Sequence, residues 1–424
     1  MLKFWLPAVL VLAACQDVNF TLNPPVPSPA EGNSFAGSIQ ITLKAHSGSP
    51  ASAKIWYTTD GRNPQDGTLY TGPFTLAVPG TVKAVARHSW FNDSPVMTAA
   101  YTDGAGYTVS TFAGTGAPGA ADGPALSAEF NFPYDVAADG AGNVYTADIG
   151  SGLIRKISGG IISTPAGQSF SSPYGVAADS AGNVYVADSG HNLISKITAA
   201  GAVSVLAGSG GQGSTNGAAL SATFDNPRGV AVDGAGNVYV ADTGNHLIRK
   251  ISGGVVSTLA GSGGRGNTNG AAVSATFDNP NGVAVDNAGT IYVADTGNHL
   301  IRKINGGMVS TFAGTGAAGA ADGPAAAAEF NYPYSLAADS AGNVYVADSN
   351  NNLIRRISGG MVAAFAGTGA NRPFQDGPVA SATFHFPRGV AVDSAGNIYA
   401  ADAGNHLIRK IAPVYNTPEG AAIP

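Results

Sequence analysis

The sequence predicts an all-β protein, a small β-sandwich followed by a six-bladed β-propeller. The main observation is an internal repeat, because a proline recurs at positions 133, 173, 227, 280, 333 and 387, with gaps of 40, 54, 53, 53 and 54 residues. Each repeat contains four short runs of β-branched or aromatic residues bounded by Gly, Asn or Asp, a pattern typical of a propeller blade. The composition agrees, since 59 of the 424 residues are glycine and only 11% are charged.

Charge and cysteine content narrow the range of functions. The formal net charge is −6, and nucleic-acid binding needs a basic surface to contact phosphates, so we expect no nucleic-acid partner. The single cysteine excludes a disulfide within the chain, so the fold depends on burial and hydrogen bonds. We expect a monomer.

The first fifteen residues predict a signal peptide. One cation, Lys3, precedes an apolar run of eleven residues, which is shorter than the ~20 residues of a membrane-spanning helix. The run ends in Leu12-Ala13-Ala14-Cys15, which resembles the lipobox of bacterial lipoproteins. The resemblance implies that Cys15 becomes the lipidated first residue of a bacterial envelope protein. Gln16 after it favours the outer membrane, on its periplasmic side or exposed at the surface.

Residues 16–35 are rich in Pro, Ser and Asn and are interpreted as a spacer. From about residue 24 to residue 104, short alternating runs separated by turn signals predict a small β-sandwich. The runs 55–61, 69–73 and 82–86 (IWYTTDG, LYTGP and VKAVA) resemble the C-terminal domain of chitobiases and β-hexosaminidases. The resemblance implies an immunoglobulin-like fold. It implies no glycosidase activity, because the catalytic barrel of those enzymes has no counterpart in this sequence.

The propeller is predicted over residues 107–412, with a tail at 413–424. Three repeats carry the triplets Asn245-His246-Leu247, Asn298-His299-Leu300 and Asn405-His406-Leu407, which resemble the NHL repeat. The sixth repeat ends after its third strand, while an unassigned strand-like run stands at 108–113. We therefore expect strand 108–113 to complete the sixth blade as its outermost strand and to leave no exposed sheet edge at the seam.

Residues that recur in register are interpreted as structural, since a catalytic group is needed once and not in every blade. Two rows of aspartates are predicted to accept hydrogen bonds in turns and to supply carboxylate partners to the arginines of the third strands. Phenylalanines three residues before each repeat proline are predicted to wedge between blades. The aspartates are Asp139, Asp179, Asp233, Asp286, Asp339 and Asp393, and then Asp148, Asp188, Asp242, Asp295, Asp348 and Asp402.

Function is expected where the repeats differ. The residue after each repeat proline lies at the start of the innermost strand, at the mouth of the central channel, and it varies more than its neighbours. Three phenols and two guanidinium groups around one axis suit a sugar or a small anion, although plain loop variation would give the same pattern. The predicted ligand-binding ring consists of Tyr134, Tyr174, Arg228, Asn281, Tyr334 and Arg388.

Six-bladed enzymes of similar shape require residues that this chain does not provide. Gluconolactonase-like hydrolases hold a divalent cation with Glu, Asn and Asp at ring positions, and here only Asn281 matches. Peptide-amidating lyases hold zinc with histidines, whereas His246, His299 and His406 occupy one repeated loop position. We expect no metal, no cofactor and no catalytic residue.

The resulting hypothesis is an envelope-anchored, non-catalytic binding or scaffolding protein whose propeller face presents a protein- or glycan-binding surface. Two alternatives stay open. One is a hydrolase or lyase acting at the channel mouth, and the other is a passive envelope spacer.

Overall fold

The structure of the protein, a computed structural model, describes most of residues 26–413. The described ranges are 26–28, 34–35, 38–44, 53–60, 62–72, 74–77, 80–88, 93–94, 96–103, 106–165, 170–371 and 373–413. The predicted signal peptide, the lipidation site Cys15 and residues 414–424 of the tail lie outside them. The chain divides into two compact units, residues 1–106 with 415–424, and residues 107–414. Within the described ranges, no helix has the length and hydropathy of a membrane-crossing segment.

The first unit consists of two β-sheets. One sheet has the strand order β1-β3-β6, and the other has the order β2-β8-β7-β4-β5. Two of these strands lie within residues 24–35, where the predicted spacer and the predicted sandwich overlap. The strands are β1 (Val26–Ser28), β2 (Ser34–Phe35), β3 (Ser38–Lys44), β4 (Lys54–Thr58), β5 (Thr68–Leu69), β6 (Phe74–Ala77), β7 (Gly80–Arg87) and β8 (Met97–Asp103), with a single 3-10 turn at Pro64–Asp66.

The second unit contains six sheets, one for each repeat. In chain order its strands are β9 (Tyr107–Ala113); β10 (Gly123–Pro124), β11 (Pro133–Ala138), β12 (Val144–Asp148), β13 (Leu153–Ser158) and β14 (Ile161–Ser163); β15 (Pro173–Ala178), β16 (Val184–Asp188), β17 (Leu193–Ile197) and β18 (Val203–Ala207); β19 (Gly217–Ala218), β20 (Pro227–Val232), β21 (Val238–Asp242), β22 (Leu247–Ser252) and β23 (Val255–Ala260); β24 (Gly270–Ala271), β25 (Pro280–Val285), β26 (Ile291–Asp295), β27 (Leu300–Asn305) and β28 (Met308–Ala313); β29 (Gly323–Pro324), β30 (Pro333–Ala338), β31 (Val344–Asp348), β32 (Leu353–Ser358) and β33 (Met361–Ala366); and β34 (Gly377–Pro378), β35 (Pro387–Val392), β36 (Ile398–Asp402) and β37 (Leu407–Pro413).

Each blade begins at its repeat proline, and its first strand is the innermost. The first strands of all six blades line a single central channel of about 160 Å³. The second strand passes into the third through a single turn of 3-10 helix in blades 2 to 6. These turns are Ser189–His191, Thr243–Asn245, Thr296–Asn298, Ser349–Asn351 and Ala403–Asn405, and one further turn, Ala219–Ser221, precedes blade 3.

The apolar core lies between neighbouring blades. Between blades 3 and 4, for example, Tyr239 and Ile248 of one blade pack with Phe277, Val283 and Val293 of the next, and all five are at most 6% exposed. Each such side chain contributes roughly 1.5–3 kcal/mol by its burial. The repeated phenylalanine therefore wedges between blades as predicted.

The sixth sheet takes a strand from the start of the unit. β9 pairs antiparallel with β37, with Ser110 opposite Lys410 and Val109 opposite Ile411. Blades 6 and 1 share a core as well, since Tyr399 packs with Phe130. β9 occupies the fourth position of its sheet, but it is not the outermost strand as predicted, because the two-residue strand β34 pairs outside it.

Five of the six blades have this additional short strand, which the sequence analysis did not anticipate. It comes from the loop before the first strand and pairs with the fourth strand of the same blade. Blade 2 has four strands among the described residues, and its preceding loop is 13–14 residues shorter than the equivalent loops. Part of that loop, residues 166–169, lies outside the described ranges.

Candidate functional site

The channel mouth is built by a sharp turn before each innermost strand. The residue that precedes the repeat proline has a left-handed backbone in all six blades, with φ between 48° and 53°. The turn directs the chain into the channel, so the residue two positions later, the second of the innermost strand, lies at the mouth. The left-handed residues are Phe132, Ser172, Asn226, Asn279, Tyr332 and Phe386.

The loop histidines stabilise this turn by accepting backbone hydrogen bonds. Nδ1 of His246 accepts a hydrogen bond from the backbone N–H of Asn279 in the next blade at 3.0 Å, and His406 does the same for Phe132 at 3.1 Å. In blade 2, Oδ1 of Asn192 accepts the equivalent bond at 2.8 Å. Burial lowers the pKa of His246, which favours the neutral ring needed for this acceptor role. Across the described ranges, no three His, Cys, Asp or Glu side chains form a group that would hold a metal ion.

All six predicted ring residues border one small cavity at the mouth. Its volume is about 30 Å³, which is room for one or two water molecules. We call these side chains the mouth ring. Its members are Tyr134, Tyr174, Arg228, Asn281, Tyr334 and Arg388.

The mouth ring is a belt of consecutive contacts. The guanidinium carbon of Arg388 lies 3.8 Å from the ring centroid of Tyr334 and 5.3 Å from that of Tyr134. Tyr134 meets Tyr174 edge to face at 4.6 Å, and Arg228 lies 4.6 Å from the centroid of Tyr174.

The belt continues on the other side of Arg228, whose Nη1 donates to Oδ1 of Asn281 at 3.0 Å. The two guanidinium groups are therefore held in place by flat rings and an amide rather than by acids. Burial raises the pKa of Tyr134 well above its usual value, so this phenol is a neutral donor at physiological pH.

Neither arginine of the mouth ring has a carboxylate partner. Nε of Arg228 and Nη1 of Arg388 are buried and donate no hydrogen bond within the described part of the chain. The arginines of the third strands also leave Nε without a hydrogen bond, but they have carboxylate partners, since Arg249 lies 2.6 Å from Asp242 and Arg302 lies 2.7 Å from Asp295. Buried guanidinium groups normally have acidic partners. The mouth therefore offers two positive charges to an incoming anion.

Below the mouth ring, the innermost strands approach each other too closely for most side chains. A Cβ atom on Gly175 would collide with the carbonyl oxygen of Arg228, and one on Gly229 with that of Asn281. Blades 2, 3, 4 and 6 have glycine at this level, whereas blades 1 and 5 have Asp135 and Ser335. This level forms the floor of the mouth cavity.

Asp135 is a site residue that the sequence analysis missed. It is the one carboxylate that borders the mouth cavity. Its oxygens accept hydrogen bonds from the backbone N–H of Val176 at 3.1 Å and the hydroxyl of Ser335 at 3.2 Å. Desolvation inside the channel raises its pKa to about 7. The signal was visible in the repeat, because Asp stands where four other blades have Gly.

Both aspartate rows accept hydrogen bonds as predicted, and of the two rows the second pairs with the third-strand arginines, apart from Asp188, which contacts His191. In the first row, Oδ1 of Asp233 accepts from the backbone N–H of Ala235 and of Asn237 at 3.0 and 2.8 Å. In the second row, Oδ1 of Asp242 accepts from the backbone of Asp225, and Oδ2 binds Arg249. These carboxylates are used by the fold, so they are not available for a ligand.

Comparison with known proteins agrees with the two kinds of domain. Residues 29–98 match the chitobiase/β-hexosaminidase C-terminal domain. NHL repeats match residues 170–197, 224–251, 277–304, 330–357 and 384–411. The chain therefore contains NHL repeats and an immunoglobulin-like domain of the chitobiase type.

Curated relatives match part of the chain. Protein SUPPRESSOR OF QUENCHING 1, chloroplastic, from Arabidopsis thaliana is 34% identical over 37% of this chain and 16% of its own length. NHL repeat-containing protein 2 from Gallus gallus is 43% identical over 22% of this chain and 13% of its own length. The chain thus spans less than a fifth of either relative.

Solved structures show the same fold over nearly the whole chain. A protein of unknown function from Bacteroides thetaiotaomicron has a TM-score of 0.60 at 20% identity and covers 94% of this chain and 100% of its own. An auxiliary nutrient binding protein from Bacteroides ovatus has a TM-score of 0.58 at 18% identity and covers 93% and 100%.

Proposed function

We propose that this protein is a non-catalytic binding protein of the bacterial cell envelope, and that its propeller binds a glycan at the channel mouth. The observation that carries the proposal is the mouth ring, in which two half-buried guanidinium groups lie against tyrosine rings without an acidic partner among the described residues. Aromatic faces stack on sugar rings, and unpaired N–H groups bind hydroxyl or carboxylate oxygens.

Similar proteins support a binding role. Relatives and structural neighbours include NHL repeat-containing proteins and auxiliary nutrient binding proteins. The domain at residues 29–98 belongs to a type named after enzymes that act on amino sugars. A protein ligand is the other form of this proposal, and both forms use the same face.

A glycan array tests the binding role directly. We expect the mature protein to bind a restricted set of glycans. Replacing both mouth arginines, Arg228→Met with Arg388→Met, should abolish the signal because the unpaired donors are lost. Arg265→Met is the matched control, since Arg265 is exposed and pairs with Asp278 outside the mouth ring. An array without signal for the unaltered protein would favour the passive spacer.

The anchoring part of the proposal rests on the lipobox-like segment ending at Cys15. We expect the protein to fractionate with bacterial membranes and Cys15→Ser to release it or to leave the signal peptide uncleaved. Unchanged membrane fractionation of the Cys15→Ser protein would contradict the anchor.

The properties of Asp135 favour the alternative function, that of a hydrolase or lyase. A carboxyl group with a pKa of about 7 beside a cavity has the property of a general acid or base. Both oxygens of that carboxyl group already accept hydrogen bonds across the channel, which favours a structural use and the binding role. Turnover of a bound glycan that disappears in Asp135→Asn would establish the enzyme instead.

A further inference from the structure

Three aromatic side chains project from the turns just above the mouth ring. Phe132, Tyr332 and Phe386 are 50%, 43% and 38% exposed, and each has a left-handed backbone. We call these three residues the aromatic arc. They belong to blades 1, 5 and 6, which are consecutive around the ring because blade 6 contacts blade 1.

Neither burial nor backbone preference explains the aromatic arc. Exposed aromatic rings contribute little to the core, and bulky residues are disfavoured in the left-handed region, where Asn and Gly are favoured. Blades 3 and 4 follow this preference, with Asn226 and Asn279 at the equivalent position. A strained backbone that holds a side chain in the solvent points to a role in binding.

The aromatic arc is held in place and is centred on one cation. Phe132 packs edge to face on His406 at 4.7 Å, and Tyr332 packs on His299 at 4.8 Å. The guanidinium carbon of Arg388 lies 5.7 Å from the ring of Phe386, on the same blade. The opposite half of the rim is polar, with Ser172, Asn226 and Asn279. The rim is therefore asymmetric, with one aromatic half around Arg388.

We propose that the aromatic arc and Arg388 together bind an acidic glycan, in which one uronic acid carboxylate pairs with Arg388 and neighbouring sugar rings stack on the arc. This inference rests on the proposed function and names its ligand class. The mouth cavity admits a group the size of a carboxylate, which leaves the sugar rings above the belt, at the level of the arc.

A glycan fits this surface better than an acidic peptide. The chain has a formal net charge of −6, and the described residues of the rim offer two cations without a carboxylate partner, so a segment with many carboxylates would be repelled. A sugar chain with a single carboxylate needs one cation and several flat apolar faces. The arc and Arg388 supply these groups in adjacent blades.

The test compares two probes by isothermal titration calorimetry, xylotetraose carrying one glucuronic acid residue and unsubstituted xylotetraose. The acidic probe should bind tighter by about tenfold to a hundredfold, the effect of hydrogen bonds to a charged group. Arg388→Met should remove this preference. Phe386→Asn and Phe132→Asn should each weaken binding of the acidic probe about threefold to tenfold, the effect of one lost aromatic contact.

The arc variants carry an internal control for folding. Asn is the residue of blades 3 and 4 at this position, so Phe386→Asn should leave the thermal midpoint unchanged or raise it, while binding falls. Ser172→Asn, on the polar half of the rim, should leave binding unchanged. A Phe386→Asn protein with unchanged affinity would overturn the role of the arc.

The remaining outcomes separate this inference from the proposed function. Equal affinity for the two probes would overturn the proposed role of the carboxylate. Tighter binding of hexaglutamate than of the acidic probe would overturn the proposal that the ligand is a glycan. If neither probe binds but the glycan array is positive, the proposed uronic acid ligand is overturned while glycan binding stands. Failure of both probes with a silent array would overturn the proposed function as well.

Discussion

Asp135 links the stability of the propeller to pH. Its pKa is about 7 in the folded protein and 3.8 for the free side chain, because the channel desolvates the carboxylate. Between these values the folded state retains a proton that the unfolded state has lost. Stability therefore falls as the pH rises from about 4 to about 7, and the unfavourable ionised carboxylate is fully present above that range.

Replacing Asp135 by Asn should remove this dependence. The amide is neutral at every pH and keeps an oxygen to accept from Val176 or Ser335. We expect the thermal midpoint of Asp135→Asn to exceed that of the unaltered protein at pH 8, and the difference to shrink towards pH 4. Melting curves across this range measure it, with the exposed Asp66→Asn as control. A constant difference at all pH values would contradict the raised pKa.

Within a blade, one arginine of the third strand donates hydrogen bonds to four acceptor groups of that blade. The guanidinium of Arg249 binds the carboxylate of Asp242, the amide oxygen of Asn216 and the backbone carbonyls of Thr215 and Thr223. It thereby fixes the loop that carries the short fifth strand. Arg155, Arg302, Arg355 and Arg409 have the same role in their blades.

Blade 2, which lacks this arginine, indicates its structural role in the other blades. Its loop is short, it has no fifth strand in the part of the chain that the structure describes, and Ser195 stands at the arginine position. Asp188, the counterpart of Asp242, contacts Nδ1 of His191 at 2.8 Å instead. The arginine and the loop that it binds are therefore present together or absent together.

Truncating the side chain at the arginine position should destabilise the protein strongly in blade 3 and only slightly in blade 2. Arg249 and Asp242 are both fully buried, so Arg249→Met leaves an unpaired carboxylate and should destabilise the protein by about 3–5 kcal/mol. Ser195→Ala should cost about 1 kcal/mol or less. Urea unfolding monitored by fluorescence measures both. Similar losses for the two variants would contradict the loop-fixing role.

For the whole propeller, the decisive contact is the seam between its two ends. β9 and β37 are 300 positions apart at Ser110 and Lys410, yet these residues lie directly opposite each other. Nδ1 of His406 also accepts from the N–H of Phe132, the first blade's turn. Since each blade buries its apolar side chains against its neighbours, opening the seam would expose the core of blades 1 and 6.

A disulfide across the seam should stabilise the propeller more than one within a blade. Ser110→Cys with Lys410→Cys closes a loop of about 300 residues, whereas Lys250→Cys with Ser257→Cys, the equivalent pair of blade 3, closes one of about eight. In a Cys15→Ser background, chain entropy predicts an advantage of about 3 kcal/mol for the seam pair. Denaturant midpoints with and without reductant measure it. Failure of the seam cysteines to oxidise would contradict the pairing.

Much of this architecture was predictable because it depends on local patterns. Runs such as 238–242 form strands because they are rich in β-branched and aromatic residues, and turns such as 233–237 form through side-chain hydrogen bonds within a few residues. The six-fold spacing then predicts six blades, and the unassigned run at 108–113 predicts the strand at the seam. The short fifth strands escaped prediction because two residues carry no periodicity.

By itself, the sequence determined the fold class, the number of blades and the six positions of the mouth ring, since each follows from a repeated local pattern. Only the tertiary structure decided which of those side chains work together. Charge pairing is a property of three-dimensional neighbours, and residues up to some 250 positions apart meet around one axis in this fold. That meeting decides the missing acidic partners of Arg228 and Arg388, the desolvation of Asp135 and the clustering of the aromatic arc. The channel brings them together because six innermost strands converge there, and no local signal encodes that convergence.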